Sequence, residues 1–224
     1  MLQRGRGPQD KTVSEPAEPC PRCGKPPALC VCDRITPANT RLRIVILQHP
    51  QEDDALLGTA KLVTASLPRA EIRVGLSWAS LDHALGMQDV PRDKWAVLAA
   101  AKLTDEVQEM AKRMPVLLVD RHGVPRSLDD HGLHGILVLD GTWSQAKTLW
   151  WRNPWLLKLP RIAINPREPS MYGKLRQEPR REHLSTLEAI ADVLPALGEP
   201  EATRDNLRRL MRTMLQRVRD HGST

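Results

Sequence analysis

Dense aliphatic runs separated by polar, turn-forming stretches dominate the pattern along the chain. Residues 41–48 (RLRIVILQ) read as a buried strand, and residues 54–67 (DALLGTAKLVTASL) as the helix that follows. A second strand is predicted at EIRVGLS, then a short, broken helix. WAVLAAA, PVLLVD, GILVLD and RIAIN supply further strands between turns or helical material. Unbroken aliphatic runs of this kind fit an α/β fold, a mostly parallel sheet flanked by helices on both faces.

Near the end of the chain, Leu207, Leu210, Met211, Met214, Leu215 and Val218 recur at helical spacing, with Arg204, Arg208, Arg212 and Arg219 available for the wetter side. An amphipathic helix docked on the core is expected there. Between Arg161 and His183, six Lys or Arg against three Glu, with Pro and Gly, point to a long surface loop beyond the RIAIN strand.

Length and composition sharpen the division. At 224 residues the chain suits one domain with a small appendage. The predicted organisation is a flexible tail at 1–19, a metal-binding knuckle at 20–40 and a main domain at 41–224. No apolar run approaches the roughly 20 residues of a membrane span. The opening segment lacks the apolar region of a signal peptide, so a cytoplasmic location and no membrane partner are the expectation. The net charge of +6 is compatible with a polyanionic partner without requiring one.

All four cysteines fall in one short segment as Cys20-Pro-Arg-Cys23 and Cys30-Val-Cys32. Four soft ligands so close can complete a tetrahedral structural zinc site, leaving no position for catalytic water. Reduced, unliganded thiols and an iron–sulfur site are the alternatives.

A second constellation is GILVLD followed by Gly141-Thr-Trp143-Ser-Gln-Ala-Lys147, a strand ending in Asp140 and turning into a helix. Parallel sheets bind ligands at such strand ends. Asp140 either meets a ligand or caps the helix, and Trp143 is either part of the site or part of the core. VLLVDRHG places Asp120 and His122 after another strand, and a cleft shared with Asp140 is expected. His49-Pro50-Gln51-Glu52 closes the first strand and either faces that cleft or simply caps the next helix. Ser185 or Thr186 starts a helix with Glu188 in its first turn. There is no Gly-x-Gly-x-x-Gly, no phosphate-binding Gly-Lys-Ser/Thr and no serine nucleophile elbow.

Together these motifs resemble the DTW-domain family, named for its Asp-x-Thr-Trp signature, here Asp140-Gly141-Thr142-Trp143. The resemblance runs from Cys20 to about Leu194 and includes His49-Pro50-x-Glu52, Arg176-Gln-Glu-Pro179 and Leu184-Ser-Thr-Leu-Glu-Ala. Where the family tends to have Asn-Thr-Gly, this chain has Leu57-Gly58-Thr59.

The resemblance implies a tRNA-uridine aminocarboxypropyltransferase that uses S-adenosylmethionine, with a SPOUT-like core and a C-terminal trefoil knot. It assigns Asp140, Trp143 and Glu52 to the chemistry. Asp120, Gly141, Thr142, Ser144, Leu184, Ser185 and Thr186 would hold the donor, and His49, Arg176, Arg180 and Arg181 the tRNA. A methyltransferase of similar fold and a non-catalytic zinc-containing RNA-binding module are the competing readings.

Overall fold

The computed structural model describes residues 18–98, 109–110, 112–175 and 184–222. The aliphatic runs become strands because their alternate residues reach two different cores. β1 (Arg43–Gln48), β2 (Ala70–Val74), β3 (Trp95–Leu98), β4 (Val116–Val119), β5 (Pro125–Arg126), β6 (Gly135–Asp140) and β7 (Arg161–Ile164) form one sheet, in the order β2-β1-β6-β3-β7-β4-β5. β1 pairs in parallel with β2 and β6, and β3 with β6 and β7. β4 runs antiparallel to both β7 and β5.

On one face Ile44, Ile46, Ala96, Ile136, Val138 and Ile162 meet α1 (Ala60–Ser66), α4 (Thr186–Ala196) and α5 (Glu201–Gly222). On the other, Val45, Leu47, Val97 and Leu137 meet α2 (Leu81–Leu85) and a 3-10 turn carrying Trp155 and Leu156. Each fully buried aliphatic side chain contributes about 1.5–3 kcal/mol, so both layers are needed to hold the strand order. α3 (Trp143–Arg152) follows β6 directly. The knuckle docks on the first core through Cys23 and Val31.

Two local expectations are corrected. The helix predicted from residue 54 begins only at Ala60, because the Asp54 carboxylate accepts the amides of Leu56 and Leu57 (3.1 and 2.7 Å) and holds a turn instead. Arg208 is not on the wet side of α5 but only 8% exposed, paired with Asp192 at 2.7 Å and Glu168 at 3.1 Å. The five apolar residues from Leu207 to Leu215 are buried as expected, and Val218 is half-buried. Of the strand predicted at WAVLAAA, the part after Leu98 lies outside the described residues.

Candidate functional site

The carboxyl edge of the parallel strands gathers the chemistry. Gln48 and Asp140 end neighbouring strands in register. Asp140 is 7% exposed; one carboxylate oxygen accepts from Gln48 Nε2 at 2.7 Å and the other from the Thr186 hydroxyl. Its backbone carbonyl accepts the His49 amide at 3.0 Å. The carboxylate is therefore fixed by donors from β1 and from the start of α4, which are far apart in sequence.

Gly141 makes the next bend. Its φ of +149° lies where side chains are strained, and a Cβ would sit 2.8 Å from that of Gln145. Thr142 then caps α3 in a capping box: its amide donates to Gln145 Oε1 at 2.6 Å, and its hydroxyl accepts the Gln145 amide at 3.4 Å. The alternative of an Asp140 cap is thus set aside, because Thr142 holds the cap and the Asp140 carboxylate is held by Gln48 and Thr186 instead. Trp143, the first residue of α3, is 51% exposed and not a core residue, and Thr142 and Ser144 are exposed beside it. Gln145 Nε2 also donates to the Gln51 carbonyl at 3.1 Å, pinning the loop that carries Glu52, itself half-buried.

The α4 entrance completes the edge. Ser185 is buried and caps Glu188 at 3.1 Å, while Thr186 and Leu184 are half-buried. Glu188 is fully buried and accepts from the Ser185 amide (3.0 Å), the Ser170 hydroxyl (2.8 Å) and the Met171 amide (2.7 Å). Thr59 accepts the Leu187 amide at 3.2 Å, and the Tyr172 hydroxyl donates to the Leu57 carbonyl at 2.6 Å. The turn at Leu57-Gly58-Thr59 is thereby tied to the entrance of α4. Sequence reasoning missed the parts played by Gln48, Thr59 and Tyr172; Glu188 forms the expected capping box with Ser185 and, beyond it, accepts from Ser170 and Met171. A single Tyr in the chain was the available signal.

In the knuckle, Sγ of Cys20 lies 3.6 Å from that of Cys32, and Cys23 3.7 Å from Cys30. The four sulfurs lie within 4.8 Å of one another. A tetrahedral zinc with bonds of about 2.3 Å sets its sulfurs roughly 3.8 Å apart, so the donor set fits that ion. The amides of Cys23 and Arg22 pull the Cys20 thiol down to about 6. Burial and the crowded sulfurs push Cys32 up, the mark of a cluster that needs a cation to ionise fully. Gly24, at φ +71°, makes the turn.

Lys25 joins the knuckle to the sheet edge. It is buried, with Nζ donating to the carbonyls of Leu56 (2.9 Å) and Gly58 (2.5 Å). Burial pushes its ammonium down to about 8.

Asp120 and His49 need correction, and the three arginines lie beyond what is described. Val119 pairs with Arg161, the first residue of β7, so the antiparallel β4 delivers Asp120 to the opposite edge of the sheet from Asp140. There its carboxylate accepts the amides of His122 and Val124, both at 2.8 Å, in a tight turn, and exposed His122 accepts from Arg121. The cleft they were expected to share with Asp140 does not form. His49 is buried, its Nδ1 accepting the Gln51 amide at 3.1 Å, so it shapes the loop instead of offering an open phosphate contact. Arg176, Arg180 and Arg181 lie outside the described residues.

A family model described as the DTW domain matches residues 17–219. Curated relatives share a name, tRNA-uridine aminocarboxypropyltransferase 2. The Mus musculus protein is 26% identical across 91% of this chain and 64% of its own length. The Macaca fascicularis protein is 24% identical across 96% and 70% respectively, and the Drosophila melanogaster protein 28% across 91% and 76%. The chain therefore spans less than two thirds of the length of the mouse relative. No solved structure matches it. Among the described residues, no helix is long and apolar enough to cross a membrane.

Proposed function

The chain belongs to the DTW-domain family, and on that premise we propose that it is a tRNA-uridine aminocarboxypropyltransferase. The observation that carries the proposal is the site built around the signature motif. Asp140 is held by Gln48 and Thr186 at a sheet edge, and the half-exposed ring of Trp143 stands three residues on.

S-adenosylmethionine, the donor substrate, supplies when bound an aminocarboxypropyl chain activated by its sulfonium. Uridine N3 forms a bond to the methylene carbon next to sulfur while that carbon–sulfur bond breaks, methylthioadenosine leaves with the electron pair, and the N3 proton must go to a base. We assign that proton to Asp140, whose orientation is set before the base arrives. A fixed carboxylate and a half-exposed aromatic ring also suit a cationic donor, which is the chemical fit of this edge to the group. Trp143 stacks on the uracil or shields the sulfonium, and Thr142 and Ser144 order the amino-acid arm. Gly141, Leu184, Ser185 and Thr186 line the donor side, with Glu52 beside the reacting base. Asp120, at the opposite edge, is no longer part of this assignment.

Zinc is our reading for the four-thiolate knuckle, as a structural ion that holds residues 20–40 against the main domain at 41–224. Arg176, Arg180 and Arg181 are assigned to tRNA phosphates, and the tail at 1–19 to a peripheral role in a cytoplasmic enzyme. We read the core as SPOUT-like with a C-terminal knot. The support is the family resemblance, the insertion of β6 between β1 and β3, and the return of the α4 entrance to Asp140.

The test is nucleoside mass spectrometry after incubating the protein with S-adenosylmethionine and unmodified tRNA. An aminocarboxypropyl increment on uridine is expected. A methyl increment, or tRNA binding without product by the folded, metal-loaded protein, overturns the proposal in favour of a methyltransferase or a binding module respectively.

A further inference from the structure

From Gly141 to Arg167 the chain has no Asp or Glu, five Lys or Arg and four of its six Trp. This bias has a spatial counterpart on α3. The inward side of the helix is secured by buried Leu149 and by partly buried Trp150, which packs against the core cluster that contains Leu137 and Trp155. On the outer side, Trp143, Lys147 and Trp151 follow one another at intervals of four residues, and all three are exposed. Trp151 is 73% exposed, the highest value among the large apolar side chains described. Arg152 is exposed beside it.

Two exposed indoles gathered on one face of a ten-residue helix, with polar groups around them, mark an interaction surface rather than scattered exposure. The charged side chains that α3 itself exposes, Lys147 and Arg152, are both positive, which disfavours a basic protein surface and favours a polyanion. The row is also continuous with the proposed site, since Trp143 opens α3 two residues after the Gly141 bend. Eight residues of helix carry the row about 12 Å from Trp143 to Trp151.

Resting on the reading of the protein as a tRNA-uridine transferase, we propose that the outer face of α3 is a stacking track for unpaired nucleotides flanking the target uridine. Trp151 stacks on one exposed base. Lys147 and Arg152 meet the phosphates on either side of it. Planar stacking accepts any base, so this face supplies affinity and direction for a splayed-out loop without selecting its sequence. It also explains how an enzyme of moderate net charge gains purchase on RNA close to its reaction centre.

The experiment compares wild type, Trp151→Ala, Trp151→Tyr and Lys147→Ala for affinity toward unmodified tRNA at several salt concentrations. Product on that tRNA is followed by nucleoside mass spectrometry, and circular dichroism and sedimentation are run alongside. Trp151→Ala should weaken tRNA binding by roughly tenfold, with the loss falling on KM for tRNA, and Trp151→Tyr should recover most of it. Lys147→Ala should lower the salt dependence by about one phosphate contact. Unchanged tRNA affinity in folded Trp151→Ala overturns the track. A wild-type dimer that Trp151→Ala splits, with RNA affinity retained, also overturns it and gives the face to a second copy of the chain. Trp151-dependent tRNA binding by a wild type that forms no aminocarboxypropyl product leaves the track standing and overturns only the reaction.

Discussion

Asp140 and Thr186 are 46 residues apart in sequence and joined by a hydrogen bond between side chains, so the end of β6 and the entrance of α4 form a single chemical unit. The Thr186 hydroxyl and the Gln48 amide occupy opposite oxygens of one carboxylate. Such an arrangement aims the carboxylate before substrate arrives and avoids reorganisation during the reaction.

Removing the charge at this unit should abolish transfer. Asp140→Asn keeps the volume and is expected to lower kcat at least 100-fold, the scale of a positioned base, with an unchanged circular dichroism spectrum. Thr186→Val removes one donor and should lower kcat by roughly tenfold, the loss of a hydrogen bond to a charged group. Undiminished turnover in folded Asp140→Asn, measured by nucleoside mass spectrometry, contradicts the assigned role.

Glu188 carries stability rather than chemistry. Its buried carboxylate serves Ser170, Met171 and Ser185 together, so Glu188→Ala leaves three donors without their acceptor. A loss of about 3 kcal/mol is expected, or a fall in Tm of about 6–12 °C for a chain of this size. Thermal unfolding followed by circular dichroism reads it directly, and a Tm within 1 °C of wild type rejects the claim.

The aliphatic runs made most of the sheet legible, because a strand buried on both faces leaves little room for polar residues, and β1, β3, β4 and β6 show that burial. Strand direction was not legible. A run such as PVLLVD reads the same whether its strand is parallel or antiparallel, and that ambiguity misplaced Asp120. The four cysteines and Asp140 stood out as local motifs. Gln48, Thr59 and Tyr172 did not, since a single polar residue shows its role only when long-range folding brings its partner. Arg208 failed for a related reason: a charged residue on the flank of an amphipathic helix is buried when a neighbouring helix supplies a carboxylate, here Asp192.

The knuckle should depend on metal as a unit. Cys20→Ser is expected to reduce bound zinc, measured by elemental analysis, from one equivalent to well below it, and a strong chelator should do the same to wild type. Both treatments should lower Tm, because the metal-held turn positions Cys23 and Val31 on the main core. Full zinc content in Cys20→Ser removes Cys20 from the ligand set.

Lys25 separates the metal's local role from its reach into the site. Its ammonium bonds the carbonyls of Leu56 and Gly58, in the turn that also accepts Tyr172 and ends at Thr59, the residue holding the Leu187 amide. Lys25→Met preserves the stem that fills the space and leaves every sulfur in place, but two carbonyls lose their donor. Zinc content should therefore stay at one equivalent, while amide hydrogen exchange at residues 56–59 quickens and kcat falls several-fold through the loosened entrance of α4. Cys20→Ser, by contrast, should lose zinc and the turn together. Unchanged exchange and kcat in Lys25→Met would show that the knuckle is held to the domain by its apolar contacts alone and that the turn keeps its shape without the ammonium.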